Sequence, residues 1–230
     1  MLKEREEMSG NRCLTFEEEA KLRRFFKTRG DWQAKRDWAA MRVLLTTGMR
    51  ISEFLSLSTG EATTAFRLGY LFVPAARRKG ESCDLTVHLV AGAGQAFHDL
   101  LALRLPADAD APLVVGRHGD RLGVRAFQLG LKVWARLAGI DEGISPHWFR
   151  HAFAASVVGS SASENPAFVL ARLSRLLGHS DPRSCMRYLT MSRDSTTGGG
   201  AELVARAFPL RDVRMTPARV RREFAGRAAA

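Results

Sequence analysis

The sequence predicts a mainly α domain carrying one small antiparallel β-sheet, an α+β fold. Three observations carry this. Apolar residues recur at helical spacing behind recognisable caps along most of the chain, and two β-branched, aromatic-rich runs flank a single basic turn. At 230 residues and 46% hydrophobic, the chain can also bury a full core.

Taken in order, residues 1–14 read as a loose, charged leader. Thr15 with Glu18 makes a capping box, and Phe16, Ala20, Leu22, Phe25 and Phe26 supply an apolar side, so a helix is expected over 15–28. Asp31 can cap a second helix that carries Trp38, Met41, Leu44 and Leu45, with Gly48 stopping it where a left-handed residue is usually wanted. A short helix over 51–57 starts after Arg50. Residues 64–73 and 83–90 read as two strands around the turn AARRKGES, a small exposed hairpin. Helices follow near 93–104, 123–138, 147–158 and 166–177, the last announced by Asn165-Pro166, and a short one is expected over about 182–189. The run DSTTGGG at 194–200 has nothing to bury and reads as a hinge. Beyond it, residues 211–230 hold six arginines against Asp212 and Glu223, with Val213, Val220 and Phe224 as the apolar edge of a terminal helix. No internal repeat is present. The expected organisation is a leader (1–14), one domain (15–193), and a hinge with a basic segment (194–230).

Charge narrows the function. The chain has 35 Lys+Arg against 24 Asp+Glu, a net charge of +11, which favours a polyanionic partner and nucleic acid first. Soluble proteins also carry solvated basic faces with no ligand, and membrane surfaces attract cations, so charge alone does not decide the partner. Cys13, Cys83 and Cys185 are scattered, odd in number and without the paired spacings of zinc sites or disulfide frameworks, so a reducing cytoplasm fits. No apolar run approaches the roughly 20 residues that cross a bilayer, so no membrane span is expected.

Three islands stand out: TTGMRISEFLSL at 46–57, SPHWFRHAF at 145–153 and LLGHSDPRSCMRYL at 176–189. Each has a bland reading. Gly48 and Arg50 suit a helix stop and restart in which Arg50 pairs with Glu53, and His147 and Arg150 suit the first turn of any helix. Gly178 can be a cap, His179 a surface residue and Tyr188 core packing. Together they supply what metal-free phosphoryl transfer requires. Negative charge building on the non-bridging oxygens is met best by planar guanidiniums that keep their protons, here Arg50 and Arg150. A tyrosine nucleophile sheds its proton during attack, and His147 suits the base or orienting partner of Tyr188. The departing 5′-hydroxyl needs a proton, which Lys79, beside Arg77 and Arg78 on the basic turn, is placed to give.

The ordered set resembles the tyrosine recombinases, or phage-type integrases, whose catalytic core is distantly related to that of type IB topoisomerases. TGMRISEFLSL is similar to their first arginine box, ARRKG to their lysine hairpin, HWFRH to their His-x-x-Arg box, and LLGHS with Tyr188 nine positions after His179 to their closing box. The resemblance covers about 14–190 and implies the integrase catalytic-domain fold. It places Arg50, Lys79, His147, Arg150 and His179 around a scissile phosphate with Tyr188 as nucleophile, and Arg77, Arg78, Arg183 and Arg187 along the DNA. A 3′-phosphotyrosyl intermediate and a free 5′-hydroxyl follow, with double-stranded DNA as partner and neither metal nor ATP as cofactor.

His151 reads as packing, and Trp148-Phe149 is bulkier than the usual pair. Arg50 comes too early for the DNA-clamping domain that precedes this core in the family, so the sequence reads as a catalytic fragment or a short recombinase gripping DNA from one side. A one-sided grip implies weak, strongly salt-dependent binding. Self-association on DNA is expected, with residues 201–230 either docking on a neighbouring protomer or forming a basic tail. Topoisomerase-like relaxation and a DNA-binding accessory protein that has lost activity are the alternatives. Retention of all six candidate residues speaks against the second.

Overall fold

The computed structural model describes residues 12–78, 80, 83–104, 107–161, 164–179, 185 and 188. Among them, helix α1 (Phe16–Lys27) starts at the expected capping box, in which Thr15 Oγ1 accepts from the Glu18 amide and Glu18 from the Thr15 amide. Helix α2 (Trp32–Thr47) is capped by Asp31, which accepts from the Ala34 amide at 2.8 Å, and ends at Gly48 with φ +64°. Helix α3 (Ile51–Leu55) is shorter than the expected 51–57, because the chain turns at Ser56.

The main correction falls next. Residues 64–73 are not one strand: helix α4 (Thr59–Leu68) precedes a strand of four residues, β1 (Tyr70–Val73). Ser58 and Glu61 form a second capping box, and Gly69, at φ +80°, stops the helix. Both signals stand in the sequence. The β-branched and aromatic residues of 64–73 argue for a strand, but the capped helix takes the stretch up to Leu68, and within it the Thr63 hydroxyl donates to the Thr59 carbonyl at 2.8 Å.

After a 3-10 turn (Ala75–Arg77), strand β2 (Leu85–His88) is shorter than the predicted 83–90 and pairs antiparallel with β1 in the register Tyr70↔His88 to Val73↔Leu85. The hairpin is not exposed throughout. Leu71, Val73, Leu85 and Val87 are buried on one face, while Phe72 and Thr86 face outward. Helices α5 (Ala91–Ala102), α6 (Val124–Ala138), α7 (Pro146–Gly159) and α8 (Pro166–Leu177) lie where the sequence places them, within about two residues at their ends. The leader reading fails at its end, since Leu14 is in the core and its amide donates to the Trp148 carbonyl at 3.2 Å. The expected leader over 1–11, the bulk of the short helix near 182–189 and the segment from 194 lie outside the described residues.

Helix α2 is the centre of the molecule, packed against α5 and α7 and buried over most of its length. Its polar members are paired inside: Asp37 takes the Trp134 indole N–H at 2.7 Å, and Arg36 donates to the Val115 carbonyl at 2.8 Å. Helix α6 buries Phe127, Leu131, Trp134 and Ala135, whose large side chains each contribute about 1.5 to 3 kcal/mol by leaving water. A smaller apolar cluster joins α7 and α8 through Ala154, Val157, Val158, Val169, Leu173 and Leu177, and it includes Cys185 and Tyr188.

Gly48 sits where the two clusters meet, and a Cβ on it would strike the Phe153 ring in a backbone conformation that already disfavours side chains. Gly48→Ala should therefore lower unfolding free energy by about 2 to 4 kcal/mol, from left-handed strain plus overpacking. A shift in the urea midpoint at unchanged m-value is the measurement that checks it.

Candidate active site

The stop at Gly48 and the restart at α3 place Arg50 at the first position before a new helix, with Glu53 one turn on. Glu53 is 1% exposed and takes both the Arg50 amide (3.2 Å) and the Arg50 guanidinium (3.1 Å). The same carboxylate oxygen accepts from Arg78 Nε at 3.1 Å. Two guanidiniums thus share one buried carboxylate. The pairing of Arg50 with Glu53 is the one the sequence suggests; the arrival of Arg78 from 25 residues away is not legible there.

Arg78 is expected along the DNA, and the structure corrects this. Its side chain is fully buried, with Nη1 donating to the Cys83 carbonyl and Nη2 to the Gly178 carbonyl, so its donors are engaged within the protein. Gly178 is required for this contact: a Cβ there would collide with the Arg78 guanidinium, and the residue adopts φ +63°. Arg77, by contrast, is exposed and pairs with Glu61 at 2.6 Å. Lys79, Arg183 and Arg187 lie outside the described residues.

Arg150, on the first turns of α7, makes the matching connection. Its guanidinium donates to the Gly48 carbonyl at the end of α2 and to the Leu177 carbonyl at the end of α8 (3.0 Å). Both are unpaired C-terminal carbonyls at the negative ends of helix dipoles, which favour a cation. Arg150 also lies 3.2 Å from His179 Nε2. A guanidinium only donates, so Nε2 is the acceptor and the ring proton belongs on Nδ1. The His179 backbone is held twice by Ser174, whose carbonyl takes its amide (2.9 Å) and whose hydroxyl donates to its carbonyl (2.8 Å).

Burial above all, and then the neighbouring charge of Arg50, pull Arg150 down to about 10, with Tyr188 and Glu53 acting in the opposite sense and Arg78 adding to the depression. Arg150 stays charged at neutral pH, at a cost on the order of 3 kcal/mol relative to water. Three guanidiniums here face one carboxylate, so an oxyanion among them relieves both repulsion and desolvation.

Tyr188 is 2% exposed, within electrostatic reach of Arg150, and its ring centroid is 5.4 Å from that of His151. His147, expected to partner Tyr188, is exposed one turn earlier with its ring 6.4 Å from His151. A ring packed beside Tyr188 is that of His151, which the sequence reading assigns to packing. The site brings together Arg50, Arg150, His179 and Tyr188. It adds Ser174, which the sequence reading does not single out, and the inward-facing Arg78, which that reading places along the DNA; Glu53 and Gly178 keep the ion-pair and cap roles read for them and gain the contact with Arg78. Among the described residues, no group of His, Cys, Asp or Glu could hold a metal ion, and no helix is long and apolar enough to cross a membrane.

The family model described as the phage integrase family matches residues 12–194, spanning every element and every site residue named above. The chain belongs to the phage integrase family. Tyrosine recombinase XerC of Neisseria gonorrhoeae is 29% identical over 165 residues, 72% of this chain and 50% of the relative. XerC of Azotobacter vinelandii is 32% identical over 152 residues, 66% of this chain and 46% of the relative. The chain thus spans about half the length of the curated relatives it matches. Among solved structures, the XerA recombinase matches with TM-score 0.62 at 21% identity, over 82% of this chain and 65% of that one. The Tn1549 transposon integrase, in complex with transposon right end DNA, matches with TM-score 0.61 at 18% identity over 80% and 64%. The fold of this family member is therefore that of integrase catalytic domains, mainly helical with a two-stranded sheet.

Glu53→Ala would leave Arg78 buried without its counter-charge and should cost about 3 to 5 kcal/mol of stability. Glu53→Gln, which keeps an acceptor, should cost less. Urea unfolding of the two variants checks the order, and equal losses would show that the carboxylate charge is immaterial.

Proposed function

We propose that this phage integrase family member is a site-specific recombinase that cuts and rejoins double-stranded DNA through a 3′-phosphotyrosyl bond to Tyr188. The observation that carries the proposal is Arg150: a buried cation hydrogen-bonded to His179, with Arg50 and Tyr188 inside its electrostatic reach. Planar guanidiniums converging on one place suit the oxygens of a phosphate group. The DNA-bound state of the Tn1549 integrase and the naming of its XerC relatives as tyrosine recombinases support the same substrate and reaction.

In this reading the Tyr188 hydroxyl oxygen attacks phosphorus and the bond from phosphorus to the 5′-oxygen breaks. Arg50 and Arg150 hold the non-bridging oxygens, where the charge grows. His179, held against Arg150 through Nε2, stands beside the phosphate in this reading. His147 orients Tyr188 or takes its proton, with His151 lining the tyrosine ring. Lys79, next in sequence to the anchored Arg78, protonates the departing 5′-oxygen. The ester energy is kept in the phosphotyrosine, so attack by another strand's 5′-hydroxyl reseals the DNA and returns the tyrosine. Arg77, Arg183 and Arg187 meet the DNA backbone. Strand exchange needs at least two protomers on DNA, and residues 201–230 are proposed to join them. The cytoplasm is the proposed compartment.

The test is incubation with nicked suicide duplexes carrying candidate sites, followed by denaturing gels. A covalent adduct is expected from the unaltered chain and from Tyr70→Phe, and none from Tyr188→Phe. An adduct that persists in Tyr188→Phe would overturn the assignment. Arg50→Ala or Arg150→Ala should raise the barrier by about 2.7 to 4 kcal/mol, as removal of one oxyanion donor does, read as a fall in single-turnover rate. Removing residues 201–230 should abolish synapsis of paired sites, and relaxation of a supercoiled plasmid without paired sites would favour the topoisomerase-like reaction instead.

A further inference from the structure

Among the described residues of the hairpin turn, Arg78 points inward while Arg77 is exposed, and the partners of Arg78 are informative. One edge of its guanidinium meets Glu53, which holds Arg50; the other meets the carbonyl of Gly178, the residue before His179. Leu177, whose carbonyl lies 3.5 Å from Arg78 Nη2, is also the acceptor for Arg150 at 3.0 Å. Arg150 in turn reaches the Gly48 carbonyl, two residues before Arg50. These contacts close a circuit: Arg50, Glu53, Arg78, the adjacent carbonyls 177 and 178, Arg150, Gly48 and back to Arg50. The circuit is otherwise built from one helix boundary (48–53) and one turn (177–179), with α7 between them. Arg78 is the link supplied by the hairpin, and it is the residue directly before Lys79.

From this we infer that Arg78 is a positioning residue for strand cleavage, acting through Glu53 and the 177–179 turn and never touching DNA. The inference rests on the recombinase reading above. A guanidinium suits the task because its planar fork spans a carboxylate on one side and two carbonyls on the other, whereas an ammonium is a single point charge. Freeing it leaves Arg50 with a carboxylate no longer shared and lets the backbone before His179 drift. Displacement of catalytic groups by even an ångström slows a reaction roughly 100-fold while leaving affinity in place.

Arg78→Lys, checked for folding by circular dichroism, tests this with three readings. With saturating suicide DNA the adduct should form roughly 10- to 100-fold more slowly. Affinity for an arbitrary duplex, and the slope of its logarithm against log salt, should match the unaltered chain, because no phosphate contact is lost. Hydrogen exchange at the His179 amide, which donates to Ser174, should quicken while that of Ala34, held by Asp31, does not change. An unchanged adduct rate, an unchanged His179 exchange rate, or a salt slope reduced by about one unit, the signature of a lost phosphate contact, each overturns the inference. If Arg78→Lys does not fold, the double variant Glu53→Gln with Arg78→Met, which leaves Arg78's site and its partner both uncharged, carries the same three readings. No adduct from the unaltered chain would remove the recombinase reading instead, and the exchange and salt readings still decide whether Arg78 holds the turn or meets phosphate.

Discussion

Two buried arginines reaching the carbonyls at helix ends are the interaction on which the arrangement depends. A helix that stops inside a protein leaves C-terminal carbonyls without partners, and α2 and α8 both stop in the interior, at Gly48 and Gly178. Arg150 satisfies both ends at once, and Arg78 returns to the second end from the hairpin. The same bonds that complete these helices therefore bring a concentration of positive charge to one place. The glycines are part of the device, since a side chain at either would displace what packs against it.

Stability and chemistry pull in opposite directions here. Burial and the neighbouring Arg50 make the charge on Arg150 costly, and among the described residues Glu53 is a carboxylate that offsets it. A protein selected for stability alone has no reason to keep three guanidiniums around one carboxylate, because apolar replacement of buried charges is often neutral or stabilising. Retaining them makes sense if an anion completes the cluster during function. The cost is carried by the central packing of α2 and by the apolar cluster that also encloses Tyr188.

Much of this was legible beforehand, for local reasons. Caps at Thr15 and Asp31, the glycine stops and the helical spacing of apolar residues mark seven of the helices, and the ordered motifs single out Arg50, Arg150, His179 and Tyr188, which lie near one another in the fold. The failures have equally physical causes. The β-branched and aromatic residues of 64–73 read as a strand, although the Ser58 to Glu61 box and Gly69 declare a helix before Tyr70. Arg78 reads as a DNA contact because it stands in a basic turn; its burial depends on Glu53 and Gly178, 25 and 100 residues away, and on Gly178 lacking a side chain. His151 reads as packing in the sequence, and its ring lies beside Tyr188, a contact between separate segments that no local pattern announces. Local signals encode helices well; the partners of buried charges are set by tertiary structure.

The most direct test of the account is a crystal structure of the chain with cleaved duplex ends and orthovanadate, which takes up the five-coordinate geometry of phosphoryl transfer. The account predicts vanadium bonded to the Tyr188 hydroxyl oxygen, with the guanidiniums of Arg50 and Arg150 both on its equatorial oxygens and Arg78 still turned toward Glu53. Vanadate bound elsewhere, or bound at Tyr188 with either Arg50 or Arg150 out of hydrogen-bonding reach, would contradict it.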